Sequence, residues 1–326
     1  MVKMTYMEAG RQAVIKAMKA DENVWCVGED LGRGGVFGQY KGLVDEFGPS
    51  RISDAPISES CIMGAAFGAA MIGTRPIVEM RFSDFALCAI DELVNQIAKA
   101  RFMFGGQSRA PMVIREPIGM WRSSAAQHSQ SLESWYTHIP GLVVVCPSSP
   151  QDNYDLLSAA IACDDPVVYM EHKDYWALED EVDLDAPPIE LGTARKVRNG
   201  TDVTIVSWSG TVHDATKAAD LLEKDGVSVD LIDLRCLWPW DKNMVVESVK
   251  KTGHLVVAHE AVAVGGFGAE IVATIAEHAG QYLKSSPVRL GAPRSLIAYA
   301  PNLENKLRVT SEMIAKAAIK TTGKAA

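Results

Sequence analysis

Pro56-Ile57-Ser58-Glu59-Ser60-Cys61 runs into a small-residue stretch over 62–71, and then into the β-branched run Pro76-Ile77-Val78-Glu79-Met80. A turn, a helix of small residues and a short apolar strand, in that order, are the repeating unit of a parallel sheet buried on both faces. Glu59 stands where the extended segment ends and the helix begins. In an open α/β sheet such a turn faces the crevice where ligands bind. A first-turn Glu also complements the helix dipole, worth about 0.3–1 kcal/mol, and the local sequence leaves both readings open.

The same unit recurs on either side. Helices are predicted over 7–19 and 150–162, and a long amphipathic helix over 84–103. Strands are predicted over 24–27, running into Gly28-Glu29-Asp30, and over 112–115, 142–146 and 167–171. Residues 178–190 are acidic and end in a Pro pair, which predicts an exposed linker, with an acidic docking surface as the alternative. The pattern then restarts: strand 202–207, helix 212–224, strands 227–234 and 255–259, helix 269–278. Two βαβ blocks predict an α/β protein of two doubly wound domains, 1–178 and 200–326, joined by a linker over 179–199.

Composition narrows the function. The 326 residues carry a net charge of −9 with no Lys/Arg cluster, which argues against a nucleic-acid partner. Six cysteines without a C-x-x-C pair read as reduced thiols of a cytoplasmic protein. The first residues lack the apolar core of a signal peptide. The longest apolar run, 61–73, falls short of the about 20 residues that span a membrane, so no membrane association is expected.

Among the motifs, Gly64 and Gly68 lie four apart among alanines, which predicts a close helix crossing, in the core or at a subunit interface. Val264-Gly265-Gly266-Phe267-Gly268 follows a strand and precedes a helix, as a phosphate-cradling turn would, but it lacks the spacing of a dinucleotide fingerprint. His128 lies in a loop crowded with polar residues, and His259-Glu260 ends a strand. Zinc, Walker and nucleophile-elbow motifs are missing, as is the Gly-Asp-Gly followed by Asn that ligates magnesium and diphosphate in thiamine enzymes.

Gly28-Glu29-Asp30, Gly34-Gly35-Val36-Phe37, Pro56-Ile57-Ser58-Glu59, Phe82-Ser83-Asp84-Phe85, Phe104-Gly105-Gly106-Gln107, Gln127-His128-Ser129-Gln130, Pro147-Ser148-Ser149-Pro150, Ile232-Asp233-Leu234-Arg235 and His259-Glu260-Ala261 stand in one order. With these landmarks the chain resembles, over nearly its whole length, the beta subunit of the thiamine-diphosphate-dependent decarboxylase component of 2-oxo acid dehydrogenase complexes. Residues 138–150 with 103–106 look most like the acetoin dehydrogenase branch.

The resemblance implies a transketolase-like pyrimidine-binding domain followed by a transketolase C-terminal-like domain. It implies a carboxylic acid at Glu59 on the far pyrimidine nitrogen of thiamine, buried enough to stay partly protonated near neutral pH. Phe85 would stack on the pyrimidine, Ile57 would be an apolar contact, and Arg81 would lie beside the cofactor. His128 would orient intermediates and assist transfer to a lipoyl arm, and Glu29 would belong to a chain of acids linking paired sites. A potassium ion would rest on the carbonyls of Met112, Ala160, Ile161, Cys163 and Asp165. The missing Gly-Asp-Gly motif fits an alpha subunit that holds magnesium and the diphosphate, in an assembly of two alpha and two beta chains. The C-terminal domain would help dock a lipoyl acyltransferase core.

The chain departs from the family pattern at Arg81, at the bulky Met120-Trp121-Arg122 and at Arg294-Ser295-Leu296-Ile297-Ala298-Tyr299. A cation at Arg81 would favour an anionic group or disfavour the thiazolium. Two other readings stay open: a split transketolase-like enzyme moving two-carbon units between sugars, and a non-catalytic scaffold subunit.

Overall fold

The computed structural model describes residues 1–324. They form two compact units, Met1–Ile118 with Trp135–Leu191, and Gly119–Ser134 with the chain from Gly192 onward. In chain order the elements leading to the second half are β1 (Val2–Thr5), α1 (Tyr6–Ala20), β2 (Val24–Gly28), α2 (Leu43–Phe47), β3 (Ile52–Asp54), α3 (Glu59–Met71), β4 (Arg75–Glu79), α4 (Ser83–Ala86), α5 (Ala100–Met103), β5 (Val113–Arg115), α6 (Glu133–Thr137), β6 (Val143–Val145), α7 (Pro150–Ala162), β7 (Val167–Tyr169) and β8 (Glu179–Val182).

The first unit is built on a parallel sheet in the order β6-β7-β5-β4-β2-β3. The register levels its strand ends: Gly28 pairs with both Asp54 and Glu79, and Glu79 pairs with Arg115. The residues that follow these ends, Glu29, 55–59, 80–85 and Glu116, therefore leave the sheet at one edge. Gly28 allows the close approach, since a Cβ there would lie 2.8 Å from the Glu79 carbonyl oxygen. Local signals start the flanking helices. Thr5 and Glu8 form a capping box on α1, and Ser149 caps α7 with Pro150 at its first position.

Three expectations change. The predicted helix over 84–103 is broken into α4, a 3-10 turn at Leu87–Ala89, a π-helical turn at Glu92–Ile97, and α5. The widened turn is marked by an Ala98 amide that donates to the Leu93 carbonyl, and it presses the Ala98 carbonyl onto Gly141. A Cβ at Gly141 would sit 1.9 Å from that oxygen, and its φ is +103°. The linker expected over 179–199 has a strand at each end and none between: β8 pairs antiparallel with β1, where Lys3 and Glu179 bridge at 2.6 Å, Arg195–Arg198 is extended, and 183–194 carries no strand or helix. The unpaired N–H and C=O groups of β1 outweigh the acidity of the run. Finally, Gly119–Ser134 groups with the second unit, outside the domain expected over 1–178.

The second half continues with β9 (Arg195–Arg198), β10 (Val203–Ser207), α8 (Thr211–Lys224), β11 (Val229–Asp233), β12 (Cys236–Trp238), α9 (Lys242–Thr252), β13 (Leu255–Val262), α10 (Gly268–Ala279), β14 (Val288–Ala292), α11 (Pro301–Glu304) and α12 (Ser311–Thr322). Its sheet has the order β14-β13-β10-β11-β9, with only β9 antiparallel. Ala215, Ala218 and Leu222 of α8 and Ile314 and Ala318 of α12 are buried in one core with Val203, Ile205 and Leu231.

Candidate active site

Glu59 is the first residue of α3 and is half-buried. Ser58 does not cap the helix; its hydroxyl instead donates to the Pro56 carbonyl at 3.1 Å. The first turn is held from the other side, where the Ser60 hydroxyl donates to the Cys88 carbonyl at 2.8 Å. That bond ties α3 to the segment just beyond Phe85. Ile57 is 75% exposed, open to a group outside this chain.

Arg81 sits at φ +56° and turns its guanidinium back onto the residues after β2. Its Nε lies 3.1 Å from Glu29 Oε2, and its Nη2 donates to Asp30. The cation that the sequence left free is thus spent on two carboxylates. Burial pushes the pKa of Glu29 up, Arg81 pulls it back, and the charge of Glu59 pushes it up again. Glu29, Glu59 and Arg81 therefore share one electrostatic site at the sheet edge.

Next to it lies an aromatic cluster. Phe85 meets Phe82 edge-on at 5.2 Å, Phe82 meets Phe37 edge-on at 5.7 Å, and Phe37 stacks on Trp176 at 5.5 Å. The Lys173 ammonium lies 4.6 Å from the Phe82 ring centre. Phe85, at the solvent end of the row, keeps part of its ring exposed.

Behind the edge is a buried ionic network that reading the sequence missed. Arg115 binds Glu171 in bidentate fashion, both bonds at 2.8 Å, and donates to the Tyr40 hydroxyl, which donates to Glu79 at 3.0 Å. Burial pushes Glu79 up to about 7 against the pull of Arg115. Glu116, wholly buried, accepts from the Ser83 hydroxyl at 3.0 Å and is pushed up to about 8 by burial. A signal was available: Glu79, Arg115 and Glu171 each end an otherwise apolar run, where a charge pays for burial only with a partner.

His128 lies half-buried in the 119–134 loop of the second unit, so the two catalytic candidates belong to different units. His259 is fully buried, stacked 5.0 Å from Trp208, and held at about 4 by desolvation. The glycine-rich turn packs on this ring: a Cβ at Gly266 would lie 2.6 Å from His259 Cε1, and one at Gly268 2.9 Å from Nε2. The glycines make room for an imidazole, which takes away the phosphate-cradle reading. Gly64 and Gly68 have open space where a Cβ would be, so the close crossing is not made inside this chain. Of the potassium carbonyls, those of Ile161 and Cys163 accept from Arg75 at 3.2 and 3.0 Å, Ala160 accepts from the Cys163 amide, and Met112 accepts from the Val167 amide.

Residues 2–176 match the transketolase pyrimidine binding domain, and residues 192–314 match the transketolase C-terminal domain. The beta subunit of the acetoin:2,6-dichlorophenolindophenol oxidoreductase of Cupriavidus necator is 42% identical, over 98% of this chain and 97% of that one. The 2-oxoisovalerate dehydrogenase subunit beta of Bacillus subtilis is 38% identical, over 95% of this chain and 96% of that one. The chain belongs to the beta subunits of the 2-oxo acid and acetoin dehydrogenases. Among solved structures, a split-gene transketolase in an inactive beta4 tetramer superposes with a TM-score of 0.82, over 98% of this chain and 99% of that one, at 21% identity. That likeness concerns the fold, and it agrees with the two α/β domains expected from the sequence. As a dehydrogenase beta subunit the chain is a component of an oxidoreductase. No helix among the described residues is long and apolar enough to cross a membrane.

Proposed function

We propose that this beta subunit holds the pyrimidine half of thiamine diphosphate against an alpha subunit, and that the pair oxidises acetoin or a 2-oxo acid and passes the acyl group to a lipoyl-lysine. The observation that carries the reading is Glu59 at the head of α3, beside the Glu29–Arg81 pair and tied by Ser60 to the segment bearing Phe85. A carboxyl, an aromatic face and an apolar side chain at one sheet edge suit an aminopyrimidine. When bound, the cofactor supplies the carbon nucleophile that attacks a substrate carbonyl. Glu59 would exchange a proton with the far pyrimidine nitrogen, Phe85 would cover the ring and Ile57 would wedge beside it. Glu29 would pass protons between paired sites, its carboxylate poised by Arg81. His128 would orient the acyl group for transfer.

Several exposed apolar side chains support a partner: Ile57, Ile72, Phe102, Met103 and Phe104 all lie open. The alpha subunit would cover them in an assembly of two alpha and two beta chains. Because this sequence lacks Gly-Asp-Gly with its Asn, magnesium and the diphosphate fall to the alpha chain. Potassium would rest on the carbonyls of Met112, Ala160, Ile161, Cys163 and Asp165, sharing those of Ile161 and Cys163 with the Arg75 guanidinium through their second lone pairs. A cytoplasmic site is supported by six cysteines that form no disulfide. Dye reduction by the assembled alpha and beta chains, with and without thiamine diphosphate and magnesium, tests the reading. Cofactor-dependent reduction with acetoin, pyruvate or a branched 2-oxo acid is expected. None of them reduced by an assembled, cofactor-loaded complex would overturn it in favour of sugar transfer or a scaffold.

A further inference from the structure

The second unit holds one loop in a conformation its own sequence does not favour. The Gly119 amide donates to the Gln130 carbonyl at 3.3 Å and closes the base of the loop. Within it Arg122, Ser123 and Ala125 stand at φ +45°, +60° and +63°. Non-glycine residues in the left-handed region persist where the surroundings over-determine them.

Charged side chains from the C-terminal part of the chain do the holding. Glu260 Oε1, at β13, accepts from the Met120 amide at 2.6 Å. Glu304 Oε2, on α11, accepts from the Ser123 amide at 2.8 Å. Arg308 Nη2 donates both to the Met120 carbonyl at 2.8 Å and to Glu304 Oε1 at 2.9 Å, while its Nη1 lies 3.9 Å from Glu260 Oε2. Both ends of the Met120–Ser123 backbone are therefore fixed to one carboxylate–guanidinium–carboxylate group. The Met120 side chain is buried, and the Trp121 ring lies 5.2 Å from the Arg122 guanidinium. The buried Met120 side chain thus anchors the loop.

We propose that Glu260, Arg308 and Glu304 are a clamp that sets the position of the His128 loop, with Arg308 the positioning residue at its centre. The path to His128 is short, since the His128 amide donates to the carbonyl of left-handed Ala125 at 3.4 Å. A planar guanidinium is suited to the task because it serves a carbonyl and two carboxylates at once. Without it, Glu260 and Glu304 face the same loop having lost the cation they share, and Glu304 is almost fully buried. The consequence for catalysis rests on the role proposed above for His128; the clamp itself does not.

Hydrogen exchange on the full chain, read on peptides covering 119–124, tests the clamp directly. In Arg308→Gln the Met120 and Ser123 amides should exchange roughly tenfold faster or more, as two bonds to charged acceptors loosen, while the amides of β10 and β11 keep their protection. Arg308→Lys should recover part of the protection. Unchanged exchange in 119–124 would overturn the proposal. Should Arg308→Gln not fold, Glu304→Gln gives the same reading at Ser123 alone. In the complex with the alpha chain, Arg308→Gln should lower acyl transfer to a lipoyl acceptor by roughly tenfold, with thiamine diphosphate affinity within about twofold of wild type. If the wild-type complex shows no thiamine-dependent turnover, the functional reading fails while the exchange result still decides the clamp.

Discussion

Arg81 closes on Glu29 at 3.1 Å from a left-handed backbone, and it also holds Asp30. Its guanidinium opposes the burial that pushes Glu29 up. Arg81→Gln removes that opposition and leaves a nearly buried carboxylate beside the charges of Glu59 and Asp30. Glu29 should then titrate still higher in the folded state. A carboxyl raised on folding contributes stability that is present below its ordinary value and lost as pH rises through the folded value. The variant should therefore lose about 1–2 kcal/mol relative to wild type at neutral pH and less near pH ~5. Urea unfolding at both values checks this, and a deficit independent of pH would contradict the pairing.

Glu59 is the residue on which turnover should depend most. Glu59→Gln keeps the size of the side chain at the head of α3 but removes its ability to exchange a proton. Loss of a positioned acid–base group costs about 10²–10⁴ in rate. Thiamine-dependent turnover of the assembled complex should fall by that much, with sedimentation of the alpha–beta assembly unchanged. Near-wild-type turnover would remove Glu59 from the chemistry.

The sequence made the sheet legible because apolar β-branched runs such as Val24–Val27 and Val167–Tyr169 alternate with cappable helices, and both appear as parallel strands. The same logic placed Glu59, because a strand end, a turn and a helix start are local events. It failed over 84–103, where amphipathic spacing suits an unbroken helix. The competing signal there was tertiary: Gly141 against the Ala98 carbonyl, and Ser60 on the Cys88 carbonyl. It also missed the strand at Glu179–Val182, since only the location of β1 shows that the start of this acidic run is a strand partner. Arg81 could be flagged as unusual from sequence, but its partners, Glu29 and Asp30, lie some fifty residues away.

Glu116 predicts a pH dependence of its own. Wholly buried, it titrates at about 8 instead of its ordinary value near 4.5, with burial as the main cause and the nearby Asp84 carboxylate adding to it. Ser83 and Tyr136 face it, and neither carries positive charge. Its folded value lies above its unfolded value. Its contribution is therefore fully present below about 4.5, declines as pH rises, and is gone above about 8. Glu116→Gln keeps an acceptor for the Ser83 hydroxyl and removes the titration. Relative to wild type, the variant should gain about 2–4 kcal/mol between mildly acid and mildly alkaline pH. Parallel urea curves for the two proteins isolate this group from Glu79, which titrates in both. A constant difference across the range would refute the buried neutral acid.

The carbonyls around Arg75 predict an ion effect. Arg75 draws on Ile161 and Cys163 and pairs with Asp164 at 2.6 Å, so the turn after α7 already gathers positive charge onto main-chain oxygens. Backbone bonds fix these oxygens in place, Ala160 through the Cys163 amide and Met112 through the Val167 amide. Oxygens held this way cannot close fully around a small cation, which favours a larger one. Replacing sodium with potassium at equal concentration should raise Tm by about 2 °C or more, as expected when an ion binds the native state alone. Arg75→Met should lower Tm in both salts and enlarge the gap between them, because the ion then meets the carbonyls without a competing cation. Equal Tm in the two salts for both proteins would remove potassium from the site.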